Sequence, residues 1–306
     1  MDVDTAAIDA RFGIGGALGV AMRPLGGPVV EMTHAGARAV VSIQGGQVLS
    51  YVPTPGAQDV LWLSPVARIV PGKSIRGGIP VCWPWFGPHA ADGALPAHGF
   101  VRTAMWSVVG TSGDLTGVRL RLAWPPPGHD TPSVPGLPSP ALTLAVEVTL
   151  SDRLTVDLVT ANDSAQDIAI TAALHSYLAV GDVTRLTITG LEGRDYIDKV
   201  DGGTVKRQAG AIVVDREVDR VFQGTADRVT VTDPQFGRRI HVDKSGSAST
   251  VVWNPWIDKA ARLGDLGPAG HMPFVCVETA NAGADQRMLA PGTTHTLRTE
   301  LTSEPI

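Results

Sequence analysis

Two short apolar segments each end in a side chain able to move a proton. Read as one strand, Ile168 to Tyr177 turns Ile168, Ile170, Ala172 and Leu174 one way and Ala169, Thr171, Ala173, His175 and Tyr177 the other. The second face is small until His175, so this histidine either stands at the rim of a groove or bonds a neighbouring strand. In Phe274 to Glu278, Val275 and Val277 share one face, and Phe274, Cys276 and Glu278 share the other. A carboxylate closing so apolar a strand either reaches water or is partly buried. Burial would raise its pKa towards the range useful to a general base.

A third region is dense in groups that could hold a ligand. Ile75 to Pro88 and Pro96 to Arg102 crowd Arg76, Gly77, Gly78, Trp83, Trp85, Phe86, His98 and Arg102 between prolines. Prolines cannot donate to a ladder, and paired glycines allow unusual backbone angles or a close approach. Aromatic faces such as Trp83, Trp85 and Phe86 suit the apolar side of a pyranose, and paired arginines suit an anionic substituent. A histidine, a carboxylate, arginines and aromatics together fit a sugar.

Other chemistries fit less well. Cys82, His89 and His98 are too irregularly spaced for a structural zinc site. Gly72-Lys73-Ser74 resembles the end of a P-loop but has Ala67 where the first glycine is required, and Gly13 to Leu18 lacks the third glycine of a dinucleotide loop. No Gly-x-Ser-x-Gly elbow is present. No metal and no cofactor is expected.

The elements that must position these groups read as short strands. Ala39 to Ile43, Gln47 to Val52, Asp59 to Leu63, Trp106 to Val109 and Val118 to Trp124 come first. Leu142 to Leu150 alternates strictly, and Leu154, Val156 and Leu158 repeat the pattern after Ser151-Asp152, which predicts a hairpin with one buried face. Further strands are expected at Arg185 to Leu191, Ala211 to Val214, Val229 to Thr232, Arg239 to Val242, Thr250 to Trp253 and His295 to Leu301. Helix is expected only near Val3 to Arg11 and from an Asn254 cap, through Pro255, to Gly264. Residues 1–36 read as a lead-in, and 125–140 as a proline-rich loop inserted at a sheet edge. Many short strands without alternating helices predict an all-β chain, a large antiparallel β-sandwich forming one domain over 1–306.

Composition narrows the partners. With 306 residues, 43% hydrophobic and 18% charged, the chain can build a sizeable core. A formal charge of -5 without a long basic run argues against nucleic acid or an anionic membrane as partner. The acidic start Met1-Asp2-Val3-Asp4 lacks a signal-peptide pattern, and no apolar run reaches spanning length, so a cytoplasmic location is expected. Cys82 and Cys276 read as buried filler.

Four blocks in order resemble the glucose-6-phosphate 1-epimerase branch of the aldose 1-epimerase (galactose mutarotase-like) superfamily. They are Arg76-Gly77-Gly78-Ile79-Pro80 with Trp83-Pro84-Trp85-Phe86-Gly87, then His98-Gly99-Phe100-Val101-Arg102, then Leu174-His175-Ser176-Tyr177, and Phe274 to Glu278. Tyr196-Ile197-Asp198-Lys199 fits between the last two, and the likeness runs from about Val40 to about Leu301. The resemblance implies a β-supersandwich with its site on a concave face. It implies His175 as general acid and Glu278 as general base, and Asp198 as an acid contacting the sugar. Arg76, Arg102 and His98 fall on the substrate side, with Trp85 among the contacts. The implied activity is exchange of the α and β anomers of glucose 6-phosphate by a monomer. A mutarotase of unphosphorylated aldoses and a non-catalytic carbohydrate-binding protein of the same fold are the alternatives. Ser176 replaces a common Thr, Thr279-Ala280-Asn281 replaces a Pro-Gly-like ending, and the proline-rich loop is long; these departures bear on substrate preference.

Overall fold

The structure, a computed structural model, describes residues 3–126, 128 and 135–306. Its frame is two eight-stranded antiparallel sheets. One runs, edge to edge, Thr187–Thr189, Val229–Asp233, Arg238–Ser245, Thr294–Pro305, Leu154–Asn162, Leu142–Leu150, Gly117–Trp124 and Ser107–Asp114. The other runs Thr204–Arg207, Asp195–Asp198, Val218–Gln223, Ser249–Asn254, Phe274–Asn281, Ala172–Leu174 and Val81–Cys82, with Tyr177–Ala179 also pairing onto Phe274–Asn281.

Alternation explains the sandwich. The predicted hairpin forms with Leu142 opposite Asn162 and Leu150 opposite Leu154, and buries Leu144, Val146, Val148, Val156 and Leu158. Val252, Val275, Val277 and Phe222 of the second sheet join the same core. This apolar burial, at about 25 cal/mol per Å², is the main force holding the layers together. Phe274–Asn281 is buried at every position, so both of its faces are covered.

Several expectations shift. Residues 18–34, read as lead-in, form Leu18–Arg23 and Gly27–His34 of a four-stranded sheet with Ala37–Ser42 and Gln47–Val52. Val20 and Val30 reach the main core; the turn at Gly26 hid a hairpin whose first strand carries a glycine and ends in an arginine. Ile168 to Tyr177 is not one strand. Ile168–Ile170 pairs with Arg287–Leu289, and Ala172–Leu174 pairs with Phe274–Asn281 and Val81–Cys82. Asp59 to Leu63 and Ala211 to Val214 make only isolated bridges. Both helices form, at Thr5–Phe12 and Trp256–Leu263, the latter ended by Gly264 at φ 70°. Of the proline-rich loop, residues 127 and 129–134 lie outside the described residues; Leu137 packs against the core. Among the described residues no helix is long and apolar enough to cross a membrane.

Candidate active site

Register decides which side chains meet. Antiparallel partners face the same way, so Asp219, Trp253, Cys276 and Tyr177, paired in sequence across four strands, form one row on the outer face of the second sheet. The next row on that face is Ile197, Val221, Val251 and Glu278. His175 sits beside these rows because its backbone N–H donates to Pro80 O and that of Tyr177 donates to Gly78 O. Gly78, at φ 65°, is required here: a Cβ would lie 2.1 Å from Val48 O. The glycine pair therefore lets Arg76 to Pro80 press against the neighbouring strand and hold the histidine segment.

These elements enclose a cavity of about 280 Å³ lined by Arg76, His98, Arg102, His175 and Glu278, with Phe86, Tyr177, Asp219, Trp253 and Lys259. A larger open depression of about 610 Å³, between Asp9 and Thr33, is lined largely by glycine-rich backbone and holds no histidine or arginine. The smaller cavity is the one with paired acid–base groups.

His175 Nε2 lies 3.4 Å from Glu278 Oε1. The imidazole stacks on Tyr177 at 4.8 Å and meets the edge of Trp253 at 5.9 Å. Glu278 is 1% exposed, and among the described residues neither its Oε2 nor His175 Nδ1 has a hydrogen-bond partner. Burial pushes the Glu278 carboxyl well above the ordinary carboxylate range, with the nearby Asp219 adding to the rise. Burial likewise pushes His175 well below the usual histidine range, assisted by the positive fields of Arg76 and Arg102. Both shifts favour the neutral form of each partner, the proton resting on the carboxyl in preference to the imidazole.

His98 takes a left-handed φ of 66°, uncommon for a residue with a side chain. Its N–H donates to Gly87 O at 2.7 Å, while Nδ1 accepts from Gly87 N at 3.3 Å. Burial, then Arg102 and Arg76, press it down to about 3, so the ring is neutral and carries its proton on Nε2. Arg76 donates to Tyr177 Oη at 2.8 Å and to Asp265, and Arg102 donates to Ala97 O at 2.7 Å. Lys259, from Trp256–Leu263, pairs with Glu217 at 2.7 Å and lies 3.7 Å from Asp219.

Two expected contacts fall elsewhere. Asp198 opposes Arg220, which opposes Val252 and then Val277, so it has the parity of the core face; Ile197 takes the cavity side. Its carboxylate pairs with Lys206 at 2.8 Å. Trp85 is 7% exposed and donates its indole N–H to Pro96 O, bracing the segment that carries His98; Trp83 is fully buried. Phe86 does line the cavity, tied by its N–H to Thr171 Oγ1. Asp219, Trp253, Tyr177 and Lys259 were missed. Asp219 carried a weak signal, an acid beside Arg220 in the short Val218 to Phe222 segment, but only register gives it a direction. His175, Cys276 and Glu278 also offer three donor atoms within 4.8 Å of one another, a set that could hold a metal ion.

The sequence pattern described as Aldose 1-epimerase matches residues 28–302. The chain belongs to the aldose 1-epimerase family. Within it, the chain is 34% identical over 272 residues to a protein of Escherichia coli (strain K12) named "Putative glucose-6-phosphate 1-epimerase", with 85% of each chain covered. It is 33% identical over 248 residues to one of the same name from Cenchrus ciliaris, covering 79% of this chain and 74% of that one. Among solved structures it resembles "a putative mutarotase (YeaD) from Salmonella typhimurium", with a TM-score of 0.85, 27% identity and 96% of each chain covered. The expectations of an epimerase of the aldose 1-epimerase type and of a galactose mutarotase-like sandwich are thereby met.

Proposed function

We propose that this protein interconverts the α and β anomers of a hexose 6-phosphate, glucose 6-phosphate foremost, acting as a cytoplasmic monomer with 1–306 as one domain. The observation that carries the reading is one cavity in which a buried His175–Glu278 pair stands beside the cationic Arg76, Arg102 and Lys259. The likeness to proteins named for glucose 6-phosphate supports the same substrate.

In this reading the pair first becomes ionic by passing its proton from Glu278 to His175 across 3.4 Å. A phosphate near Arg76 and Arg102 offsets the positive fields that hold His175 down, and so favours this transfer. The anomeric hydroxyl then donates to Glu278 Oε2, the oxygen without a partner, and gives up its proton. His175 protonates the ring oxygen as the ring C–O bond breaks. The open aldehyde turns about one bond, and reversal of both transfers closes the other anomer. Phe86 and Trp253 supply aromatic faces for the sugar, and Asp219 an acceptor for its hydroxyls.

The test is anomer exchange followed by NMR for glucose 6-phosphate, galactose 6-phosphate and free glucose in parallel, against the spontaneous rate. Acceleration of the phosphorylated sugars above free glucose supports the reading; spontaneous rates for all three overturn it. A second reading, a mutarotase of unphosphorylated aldoses, is favoured by one observation: Arg76 is already engaged by Asp265. Free glucose exchanging as fast as its 6-phosphate would establish it.

A further inference from the structure

Arg76 is a compromised anion receptor. Its Nε and Nη2 both converge on one oxygen, Asp265 Oδ2, at 3.0 Å and 2.9 Å. Nη1 is spent on Tyr177 Oη at 2.8 Å. The other oxygen, Asp265 Oδ1, is buried and has no hydrogen-bond partner among the described residues. This is not the parallel fork in which a guanidinium and an oxyanion match two N–H groups to two oxygens. A phosphate, with three terminal oxygens, can supply that fork.

Asp265 is also placed to leave. It follows the helix-ending Gly264, and its backbone is fixed by Ser64 Oγ, which donates to Asp265 O at 2.7 Å. The side chain itself is 47% exposed, whereas that of Arg76 is 23% exposed. The carboxylate can therefore turn into water while the backbone and the arginine stay. Arg102, on the same cavity, makes no carboxylate pair among the described residues. An arriving phosphate would find Arg102 open but Arg76 beside a like charge. A neutral hexose would meet no such repulsion.

Resting on the hexose-phosphate reading above, we propose that the Asp265 carboxylate is a built-in occupant of the anion subsite. The substrate's phosphate displaces it, and Asp265 thereby sets how strongly the site prefers a phosphorylated over a neutral sugar. The carboxylate opposes tight capture of phosphate and keeps Arg76 compensated when the cavity holds water or a neutral sugar.

The experiment compares the parent with Asp265→Asn, Asp265→Ser and Asp265→Glu in two readouts. One is the affinity for inorganic phosphate, measured by calorimetry at low salt. The other is the ratio of kcat/KM for glucose 6-phosphate to that for free glucose. Both uncharged variants should bind phosphate about tenfold more tightly, the order of effect of one partly screened charge. The ratio should rise about as much, through KM and not kcat, and Asp265→Glu should return both readouts towards the parent. Weaker or unchanged phosphate binding in the uncharged variants would make Asp265 a group that orients Arg76, and would overturn the proposal, as would no measurable phosphate binding by any of the four proteins. Tighter phosphate binding with no anomer exchange in the parent would sink the functional reading and leave this inference standing. Exchange of glucose 6-phosphate with unchanged phosphate affinity in the variants would do the reverse.

Discussion

The middle and the C-terminal end of the strand Phe274–Asn281, at Glu278 and Asn281, are equally buried and oppositely treated. Among the described residues Glu278 Oε2 has no partner, and neither has Nδ1 of the neighbouring His175. Three residues on, Asn281 is saturated: Nδ2 donates to Gly246 O and Asp285 Oδ2, both at 2.9 Å, and Oδ1 faces His295 Nε2 at 2.9 Å. Asp285 also accepts from Ala248 N, and Lys244 donates to Thr225, Ser247 and Ser249 nearby. The Thr279 hydroxyl between them is bare too, but a hydroxyl is far cheaper to leave unpaired than a carboxylate. A polar cluster that satisfies itself holds the sheet together. One that does not has donors and acceptors in reserve, as a catalytic group requires.

That contrast is most sharply tested at Glu278. Glu278→Gln keeps the shape and removes the base, so anomer exchange should fall about 10²- to 10⁴-fold with sugar binding retained. NMR exchange rates and a binding titration check it; an undiminished rate would place the chemistry elsewhere. At the end of the strand, Asn281→Ala leaves Asp285, His295 and the Gly246 carbonyl short of partners. It should cost about 2–3 kcal/mol of stability by denaturant unfolding. Its exchange rate per folded molecule should stay within about twofold of the parent, because it touches none of the cavity groups.

How much of this contrast could be read without coordinates depends on whether a feature is local. Leu142 to Leu158 announced its hairpin because one face is core along its whole length, and His175 and Glu278 stood out as polar ends of apolar runs. The hairpin of Leu18 to His34 did not, since glycine, methionine and arginine blur its alternation. Asp198 and Asp219 show the limit most clearly. Both are acids on strands of the second sheet, and the cavity's choice between them rests on pairing across Val218–Gln223, where a slip of one residue would exchange the faces. Trp83 and Trp85 are similar: aromatics that suit a sugar also suit a core, and only packing against Thr160 and Pro96 decided it.

The comparison also predicts opposite signs for stability. Burial raises the folded pKa of Glu278 above its unfolded value, so the folded chain holds that proton more tightly. The resulting stabilisation is full below the ordinary carboxylate pKa and is lost as pH rises towards the folded one. Glu278→Gln removes the group whose ionisation favours unfolding. It should therefore raise stability at pH 8 and change it little near pH 4. Unfolding curves at the two pH values decide the matter. A loss of stability at pH 8 would mean that the carboxylate is satisfied after all, and that Glu278 and Asn281 are not different in kind.

The smallest effect concerns the arginine that lacks a carboxylate partner. Exchange needs one proton on the His175–Glu278 pair, and kcat/KM should be flat across neutral pH because burial drives the two titrations apart. The acid-side loss occurs when His175 takes a second proton, and its position below the usual histidine value depends partly on Arg102. Arg102→Ala removes a positive charge, so His175 should protonate more readily and the acid limb should move to higher pH. The same change should raise KM for glucose 6-phosphate by about tenfold or more, as loss of a charge-assisted contact does. Measured with free glucose, the limb should move alike while KM changes little. A limb that stays in place would mean that Arg102 acts on the phosphate alone and leaves the proton to the buried pair.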